Sequence, residues 1–308
     1  MSLHAIKSWI GRARGLAAVP DRTDRLQQAL GRIELRQCED RNLPQLNENE
    51  FRVFSQFGED GIIQFLLRRI GSVPKRFVEF GVEDYREANT RFLLLNDYWQ
   101  GLVIDGSAAN VQDIHRSGIC WARSLTALHS FVTTKNINDL ITQTGFSGDL
   151  GLLSVDIDGN DYWVWDAITC VNPVIVICEY NSIFGWRRQV SIPYDPQFVR
   201  RHAHYSQVYY GASLSALTRL AEQKGYALVG TNKAGNNAFF VRSDCLRALS
   251  SITPEAAFRA SCFQEAVGED GRLTYLNHQE QRALIAHLPL VDVETGATLT
   301  VRDIGETG

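Results

Sequence analysis

Short apolar segments alternate with longer amphipathic segments through the middle of the chain. The apolar segments are four or five residues long and flanked by turn residues, which is typical of buried strands. The segments between them repeat apolar residues at helical spacing. The predicted strands span residues 76–80, 101–104, 130–133, 152–155, 174–178, 227–231 and 238–242.

Helical segments connect most of these strands. They are predicted at residues 61–70, 89–97, 109–116, 136–144, 161–168 and 213–224. Strands that alternate with helices form βαβ units, which build a parallel sheet with helices on both faces. The last two strands flank residues 233–237, a hairpin-like turn that makes one strand antiparallel. The pattern therefore predicts a Rossmann-like α/β fold with a mainly parallel seven-stranded sheet.

The chain divides into three parts by the texture of its sequence. We predict a helical N-terminal extension at residues 1–50, the α/β domain at 51–245, and a helical and irregular C-terminal appendage at 246–308. No internal repeat and no low-complexity segment is present. The sequence does not assign a role to either extension; covering the site and forming a dimer contact are the two open alternatives for residues 246–308.

The N-terminal extension contains two predicted helices and a linker. Residues 3–18 carry basic side chains and no acidic one among apolar residues, so the helix there suits either a membrane surface or, as we favour, internal packing or a homodimer contact. Residues 21–36 alternate charged and apolar positions. The polar run 41–50 is predicted to be a linker.

Composition narrows the function classes. The 308 residues carry a net charge of −4, which gives no support for nucleic acid as a partner. Neither a signal peptide nor a run long enough to span a membrane is visible, so we predict a cytoplasmic protein. The six cysteines form no C-x-x-C pair and are predicted to be reduced.

Candidate ligand-binding residues follow the first two predicted strands. In an open α/β sheet, ligands bind beyond the carboxyl ends of the strands. Glu79 ends the first strand, with Gly81 two residues later, and Asp105 ends the second. Glu79 is placed to bind a ligand ammonium, Gly81 to let the backbone approach a ligand, and Asp105 to accept hydrogen bonds from a ribose diol. The acid-rich turn after Gly81 is not G-x-G-x-x-G and disfavours a dinucleotide pyrophosphate.

The fourth and fifth strands end in a group of acids. Asp156, Asp158 and Asp161 follow the fourth strand, and Glu179 ends the fifth. Oxygen ligands grouped at one sheet edge suit Mg²⁺ or another divalent cation. The alternative is that residues 158–161 form a turn and a helix cap, with Asp156 alone functional.

A long segment at residues 182–211 follows the fifth strand. Long connections of this kind are often substrate lids. Its aromatic side chains suit sugar faces, and its paired arginines suit an acidic sugar or phosphate. The alternative is that these side chains only pack the loop. The predicted substrate contacts are Trp186, Arg187 and Tyr210, and the candidate catalytic residues are His202, His204 and Asp158.

Six motifs occur in order between residues 51 and 242. They are Phe54-Ser55-Gln56-Phe57-Gly58-Glu59-Asp60-Gly61, Val78-Glu79-Phe80-Gly81, Val103-Ile104-Asp105-Gly106, Val155-Asp156-Ile157-Asp158-Gly159-Asn160-Asp161, Glu179-Tyr180-Asn181 and Asn236-Asn237-Ala238-Phe239-Phe240-Val241. The set resembles the class I S-adenosylmethionine (SAM)-dependent methyltransferases, nearest the FkbM-like branch found around glycan and natural-product pathways. The Asp-Ile-Asp-Gly-Asn-Asp block is its most specific part.

The resemblance implies roles for individual positions. Glu79 and Gly81 would line the methionine part of SAM, and Asp105 would hold the ribose. The further cofactor contacts are Asn89, Gly106, Ser107 and Asp156.

It also implies metal ligands, which are Asp156, Asp158, Glu179 and Asn181. The metal-dependent relatives usually carry adjacent Asp-Asp or Asp-Asn on the fifth strand, whereas Tyr180 intervenes in this chain. That departure puts the metal requirement in question.

These observations predict an O-methyltransferase that uses SAM, with Mg²⁺ as an optional aid. The acceptor is predicted to be a hydroxyl of a carbohydrate or a sugar-containing intermediate. The main alternative is a metal-dependent glycosyltransferase, because Asp156 and Asp158 form a D-x-D motif. That alternative leaves Glu79 and Asp105 unexplained. A non-catalytic binding module is a third class, and the crowded carboxylates argue against it.

Overall fold

The computed structural model describes residues 19–263 and 266–305. The helix predicted at residues 3–18 lies outside the described residues. The strands are β1 (Arg76–Phe80), β2 (Gln100–Asp105), β3 (Leu125–His129), β4 (Gly148–Val155), β5 (Val171–Glu179), β6 (Val190–Ser191), β7 (Tyr226–Thr231), β8 (Asn237–Arg242), β9 (Pro289–Asp292) and β10 (Thr298–Thr300).

The larger sheet has seven strands in the order β3-β2-β1-β4-β5-β8-β7. β1 to β5 run parallel to one another, and β8 runs antiparallel to both β5 and β7. This confirms the predicted Rossmann-like fold and the antiparallel strand made by the hairpin. The strand order reverses direction between β1 and β4, so the crevice at the carboxyl ends of these strands is the expected ligand site.

Helices cover the larger sheet on both faces. The α-helices are Val19–Arg41, Glu59–Ile70, Arg91–Asn96, Ala108–Arg116, Ile119–Ala122, Ile137–Thr142, Asp161–Ala167, Arg200–Ala203, Leu214–Gln223, Pro254–Ala257 and His278–Leu284. Short 3-10 helices are Leu46–Asn49, Ser182–Phe184, Ser243–Cys245 and Val301–Ile304.

The helix boundaries follow from local sequence. Ser107 and Ser213 each precede a helix, and each side-chain oxygen accepts a backbone N–H of the first turn. Such caps satisfy donors that have no partner within the helix. Gly71, with φ of 87°, ends the helix Glu59–Ile70 in a conformation that other residues rarely adopt.

Alternating side chains of the strands build two hydrophobic cores. On β1, Phe77 packs into one core, and Val78 and Phe80 pack into the other. Strands buried on both faces explain why the sequence shows apolar runs with little alternation of polar residues. The sheet is therefore the rigid platform from which the strand ends project.

One predicted strand was wrong. Residues 130–133 were predicted as the third strand, but β3 occupies Leu125–His129, where it pairs with β2. The chain leaves the sheet after Ser130, whose N–H donates to the carbonyl of Asp105. Phe131 is then exposed rather than packed in the sheet. Residues 125–129 and 130–133 are both mixed in polarity, so the sequence pattern does not distinguish them. Pairing with β2 determines which of the two segments forms the strand.

A second, three-stranded sheet joins the segment after β5 to the C-terminal region. Its order is β10-β9-β6, so Val190 and Ser191 pair with β9. A third hydrophobic cluster lies beneath it and contains Phe184, Leu290 and Val301. The sequence did not predict this sheet, because strands of two to four residues carry too little pattern.

The polar run at residues 41–50 is not a free linker. The side chain of Asn47 donates to the carbonyl of Thr231 at 2.7 Å, and Asn49 is buried. Helix Val19–Arg41 is longer than predicted. Within the described part of the chain, none of the helices has the length and apolar character needed to span a membrane.

Candidate functional site

An acidic cleft lies at the carboxyl ends of β1, β4 and β5. It encloses about 300 Å³. Its single lining cation among the described residues is Arg200. Six carboxylate side chains line it: Glu79, Glu83, Glu87, Asp156, Asp158 and Glu179. This charge balance suits a cationic ligand and opposes a bare phosphate.

A second cleft continues from the first. It encloses about 690 Å³ and is lined by Gly106, Ser107, Phe131 and Ile157, among others. Asp158 and Arg200 line both clefts, so the two meet at these side chains. The combined space runs across the ends of β1, β2 and β4, where an extended ligand can lie.

Glu79 holds the chain that follows β1. Its two oxygens accept the backbone N–H groups of Asn89 (2.9 Å) and Thr90 (3.1 Å), and also the Thr90 hydroxyl. The side chain is almost fully buried, and burial raises its pKa to about 7. Asn89, a predicted cofactor contact, lines the acidic cleft and donates to Ser154. Glu79 thus shapes the cleft wall as well as lining it.

Gly81 is required by the packing between β1 and β4. It has φ of 69°, and a Cβ at this position would overlap the carbonyl oxygen of Asp156. From the sequence, Gly81 was predicted to let the backbone approach a ligand closely. The structure adds a close approach to the backbone after β4, which brings Asp156 beside the turn.

Asp105 organises two loops at the end of β2. One oxygen accepts the N–H of Glu83 at 2.8 Å, and the other accepts the N–H of Ser107 at 2.8 Å and the amide of Asn110. A carboxylate has about four acceptor positions, of which these bonds use three, and among the described residues Asp105 itself lines neither cleft. Gly106 and Ser107 stand on the wall of the second cleft, as their predicted cofactor role requires.

Asp161 stabilises the turn after β4 through hydrogen bonds to its backbone. It is fully buried, accepts the N–H groups of Ile157 (2.7 Å) and Gly159 (2.9 Å), and has a pKa raised by burial to about 6. The structural alternative from the sequence therefore holds for Asp161. Asp158 has φ of 57° and projects outward from this turn.

Asp156, Asp158 and Glu179 come together as predicted. One carboxylate oxygen from each lies within 4.8 Å of the others. The Oε2 atom of Glu179 is buried without a hydrogen-bond partner among the described residues. Burial and the neighbouring carboxylates raise the pKa values of Asp156 and Glu179 well above their usual range. Three hard oxygen donors, together with a buried carboxylate oxygen that has no partner among the described residues, fit a divalent cation.

Asn181 does not join this cluster. Its amide donates to the carbonyls of Val208 and Tyr210, both at 3.0 Å, and its oxygen accepts the N–H of Ile183. These bonds use the side chain to hold the segment 208–210. The predicted role of Asn181 as a metal ligand is therefore corrected to a brace.

The two predicted histidines point elsewhere. His204 hydrogen-bonds Ser206 at 2.7 Å through Nδ1, and its ring lies 6.2 Å from His287. Burial lowers its pKa. His202 is exposed on the helix Arg200–Ala203. Neither histidine lines the two clefts among the described residues, so the structure does not place either as the base.

The predicted substrate contacts separate into two groups. Tyr210 lies beneath Arg200, whose guanidinium carbon is 3.8 Å from the ring centroid, so Tyr210 supports the cleft wall. Trp186 and Arg187 stack on each other at 4.7 Å. These two side chains lie outside both clefts as far as the described residues show.

Arg200 is the main residue that the sequence analysis missed. It forms an ion pair of 2.7 Å with Asp158, and its Nε donates to the carbonyl of Gln207. Its side chain is 15% exposed, whereas that of Asp158 is 61% exposed, so the ion pair has one buried and one solvent-facing partner. The long loop after β5 was predicted to present Arg187 to a ligand, whereas the arginine of this loop that lines both clefts is Arg200.

The Ser-Gln-Phe-Gly-Glu-Asp motif at residues 55–60 forms a loop beside the acidic cleft. Asp60 accepts three backbone N–H groups and the Ser55 hydroxyl through one oxygen, and Glu59 accepts two backbone N–H groups. These buried acids fold residues 53–58 into a loop. That loop places Gln56 at the acidic cleft.

Comparison with solved structures gives partial matches to methyltransferases. No protein family and no curated protein matches the sequence. The N-terminal domain of EvdMO1 with S-adenosylhomocysteine (SAH) bound is 11% identical, with a TM-score of 0.38 over 68% of this chain and 94% of that chain. An O-methyltransferase from Bacillus cereus in complex with SAH is 12% identical, with a TM-score of 0.39 over 69% and 89% of the two chains.

TomG, an O-methyltransferase from Streptomyces achromogenes in complex with SAM, is 11% identical, with a TM-score of 0.37 over 68% and 86% of the two chains. At these scores the likeness carries no argument about activity. The strand order of the larger sheet and the residues at its carboxyl edge therefore carry the functional argument.

Proposed function

We propose that the protein is a SAM-dependent O-methyltransferase that acts on a hydroxyl group of a carbohydrate or sugar-containing intermediate. The observation that carries the proposal is the acidic cleft at the carboxyl ends of β1, β4 and β5. Six carboxylates line this cleft, which lies at the point where the strand order of the Rossmann-like sheet reverses. The resemblance to the FkbM-like branch, read from the motifs, agrees with this activity.

The charge of the cleft supports a cationic cofactor. SAM carries a sulfonium and an ammonium, and both are stabilised by nearby carboxylates. The turn after Gly81 and the loop holding Asn89 would contact the methionine part. Asp105 would hold the ribose, and the wall formed by Ser107 and Phe131 would take the adenine side. These residues would orient the methyl group toward the end of β4.

A divalent cation fits the cluster of Asp156, Asp158 and Glu179. When bound, the cation lowers the pKa of an acceptor hydroxyl that lies beside it. The protein residues hold that hydroxyl in line with the methyl group, and positioning supplies much of the acceleration. Without a cation, Asp156 in its ionised form would be the carboxylate at the end of β4 that takes the proton of the acceptor hydroxyl. The dependence of the rate on metal separates these two modes.

The polar rim of the cleft supports a hydroxyl-rich acceptor. Gln56, Glu87 and Asn89 offer amide and carboxylate groups, which match the donors and acceptors of sugar hydroxyls. Arg200, held over Tyr210, closes the cleft on the side of the loop. The acceptor would therefore enter between this loop and the loop that follows β1.

A D-x-D glycosyltransferase is less consistent with the site. Asp156 and Asp158 do lie together, but Asp158 is paired with Arg200. The further carboxylates of the cleft would oppose the diphosphate of a nucleotide sugar. The resemblance-derived roles of Glu79 and Asp105 also have no counterpart in that reaction.

The proposal is tested by assaying methyl transfer from SAM to a panel of free and nucleotide-linked sugars, with and without Mg²⁺, by mass spectrometry. We expect a methylated sugar, and we expect Asp156→Asn to abolish its formation. Asp149→Asn, which changes an acid at the opposite end of β4 from the cleft, is the matched control and should retain activity. Transfer of a sugar from the nucleotide, with no methylated product from any acceptor, would replace this proposal with the glycosyltransferase.

A further inference from the structure

Asn237 lies directly across the sheet from Glu179. β5 and β8 are antiparallel, and their register pairs these two residues. Side chains opposite each other on one face of such a pair lie within contact range. Both line the acidic cleft, and both are more than nine-tenths buried. Asn237 thus stands at the floor of the cleft beside a member of the carboxylate cluster.

The orientation of the Asn237 amide is fixed by Glu59. The Nδ2 atom of Asn237 donates to Oε1 of Glu59 at 2.9 Å, and Asn232 donates to the same oxygen at 2.7 Å. The other oxygen of Glu59 accepts backbone N–H groups of residues 57 and 58. An ionised carboxylate only accepts hydrogen bonds, so a flipped amide would place two oxygens face to face. The Asn237 oxygen must therefore point away from Glu59.

Two buried oxygens at the cleft floor lack a hydrogen-bond partner among the described residues. Within residues 19–263 and 266–305, Oδ1 of Asn237 and Oε2 of Glu179 make no hydrogen bond. Buried polar atoms in folded proteins nearly always have a partner, and exceptions mark sites where a ligand or ion supplies it. A hydrogen-bond donor from a ligand satisfies one or two such oxygens. A cation satisfies several together, including the carboxylates of Asp156 and Asp158 that lie within 4.8 Å of Glu179.

We propose that Asn237 supplies a fourth protein oxygen to a divalent cation held by Asp156, Asp158 and Glu179, and that Glu59 is the positioning residue that aims it. Hard cations accept amide carbonyl oxygens together with carboxylates. Groups that hydrogen-bond a ligand residue fix its orientation, and their loss typically weakens metal binding about 10- to 100-fold. This inference rests on the cation site of the proposed function, and it replaces Asn181 by Asn237 as the amide ligand.

The test measures binding of Mn²⁺ to the full chain by calorimetry and electron paramagnetic resonance, with SAH binding measured in parallel. We expect Asn237→Ala to weaken Mn²⁺ binding at least about tenfold, and Glu59→Gln to weaken it within the range above. The double variant Asn237→Asp/Glu59→Gln keeps an oxygen at position 237 and places an amide opposite it instead of a carboxylate, so it should retain or strengthen binding. Gln56→Ala removes an amide from the same cleft and should leave Mn²⁺ affinity unchanged.

The outcomes separate the inference from the proposed function. Wild-type affinity in Asn237→Ala would overturn the role of Asn237 and leave the carboxylate site. Weak binding in both Asn237→Ala and the double variant Asn237→Asp/Glu59→Gln would show a structural role and would overturn the inference. Absence of Mn²⁺ binding by the wild type, with SAH binding intact, would overturn the cation site alone. Loss of SAH binding as well would overturn the proposed function.

Discussion

The guanidinium of Arg200 lies 2.7 Å from the carboxylate of Asp158. This ion pair joins the loop after β5 to the turn after β4, at the point where the two clefts meet. Arg200 also lowers the pKa values of Asp156 and Glu179, against the stronger effect of burial. The arginine is therefore a counter-charge to the carboxylate cluster, and the proposed cation would compete with it for Asp158.

Replacing Arg200 should strengthen cation binding. In Arg200→Ala, Asp158 has no arginine to release, so Mg²⁺ affinity measured by calorimetry at about pH 8 should rise several-fold. Because the pKa values of Asp156 and Glu179 rise further without Arg200, that affinity should also fall more steeply as the pH is lowered. Arg201→Ala, a neighbour on the second cleft, is the control and should leave Mg²⁺ affinity unchanged. Equal Mg²⁺ affinity in the wild type and Arg200→Ala would contradict the competition.

Gly81→Ala should be more destabilising than the same change at a comparable glycine. Gly81 and Gly118 have similar φ values, 69° and 76°, but a Cβ at Gly118 would meet nothing within 4 Å. Both substitutions carry the cost of a left-handed conformation, about 1–2 kcal/mol. Gly81→Ala adds the overlap with the carbonyl of Asp156. Chemical denaturation of the two variants should show the larger loss for Gly81→Ala, and equal losses would exclude the close approach.

Stability without ligand should fall as the pH rises toward neutrality. Burial raises the pKa of Asp60 to about 6, of Glu79 to about 7 and of Asp161 to about 6. A group whose pKa is higher in the folded than in the unfolded state stabilises the fold. This stabilisation is complete when the pH is below the pKa of the group in the unfolded state. That stabilisation is lost as the pH rises through the folded value.

The thermal midpoint should therefore decrease between about pH 5 and pH 8, and Mg²⁺ should restore it near pH 8 but not near pH 5. In Asp156→Asn, the restoration by Mg²⁺ should be lost. Differential scanning calorimetry across this range measures both effects. A midpoint that rises steadily with pH in the absence of metal would be inconsistent with the buried acids.

The histidines of the long loop should contribute little to the chemical step. His204 is engaged with Ser206, and His202 is exposed. The double variant His202→Ala/His204→Ala should lose less activity than the roughly 10²-fold expected for a general base. Its pH–rate profile should keep the wild-type shape. A loss of that size, with a changed profile, would restore a histidine as the base.

The sequence predicted the sheet and the acids at its carboxyl edge because these depend on local pattern. Apolar runs identify strands, and Glu79, Asp156 and Glu179 follow directly from where three strands end. The third strand was misplaced by a few residues, since residues 125–129 and 130–133 differ little in pattern. The small sheet was missed because β6 is only two residues long.

The partners of the site residues could not be predicted in the same way. Arg200 reaches Asp158 across 42 positions, and Asn237 reaches Glu59 across 178. The path of the long loop decides which of its arginines and histidines face the cleft. The motif of residues 55–60 and the Asn236-Asn237 pair are both recognisable in the sequence. Their contact depends on the tertiary structure, so it could not be predicted from local pattern.

The most direct test of the central claim is calorimetric titration of the protein with SAH, with and without Mg²⁺, beside a titration with a UDP-sugar. We expect SAH to bind to the wild type and to bind more weakly to Asp105→Ala. The UDP-sugar should not reduce the affinity for SAH. Asp105→Ala should be compared with the wild type at a temperature where both remain folded. Failure of SAH to bind, together with metal-dependent binding of the UDP-sugar, would contradict a methyltransferase.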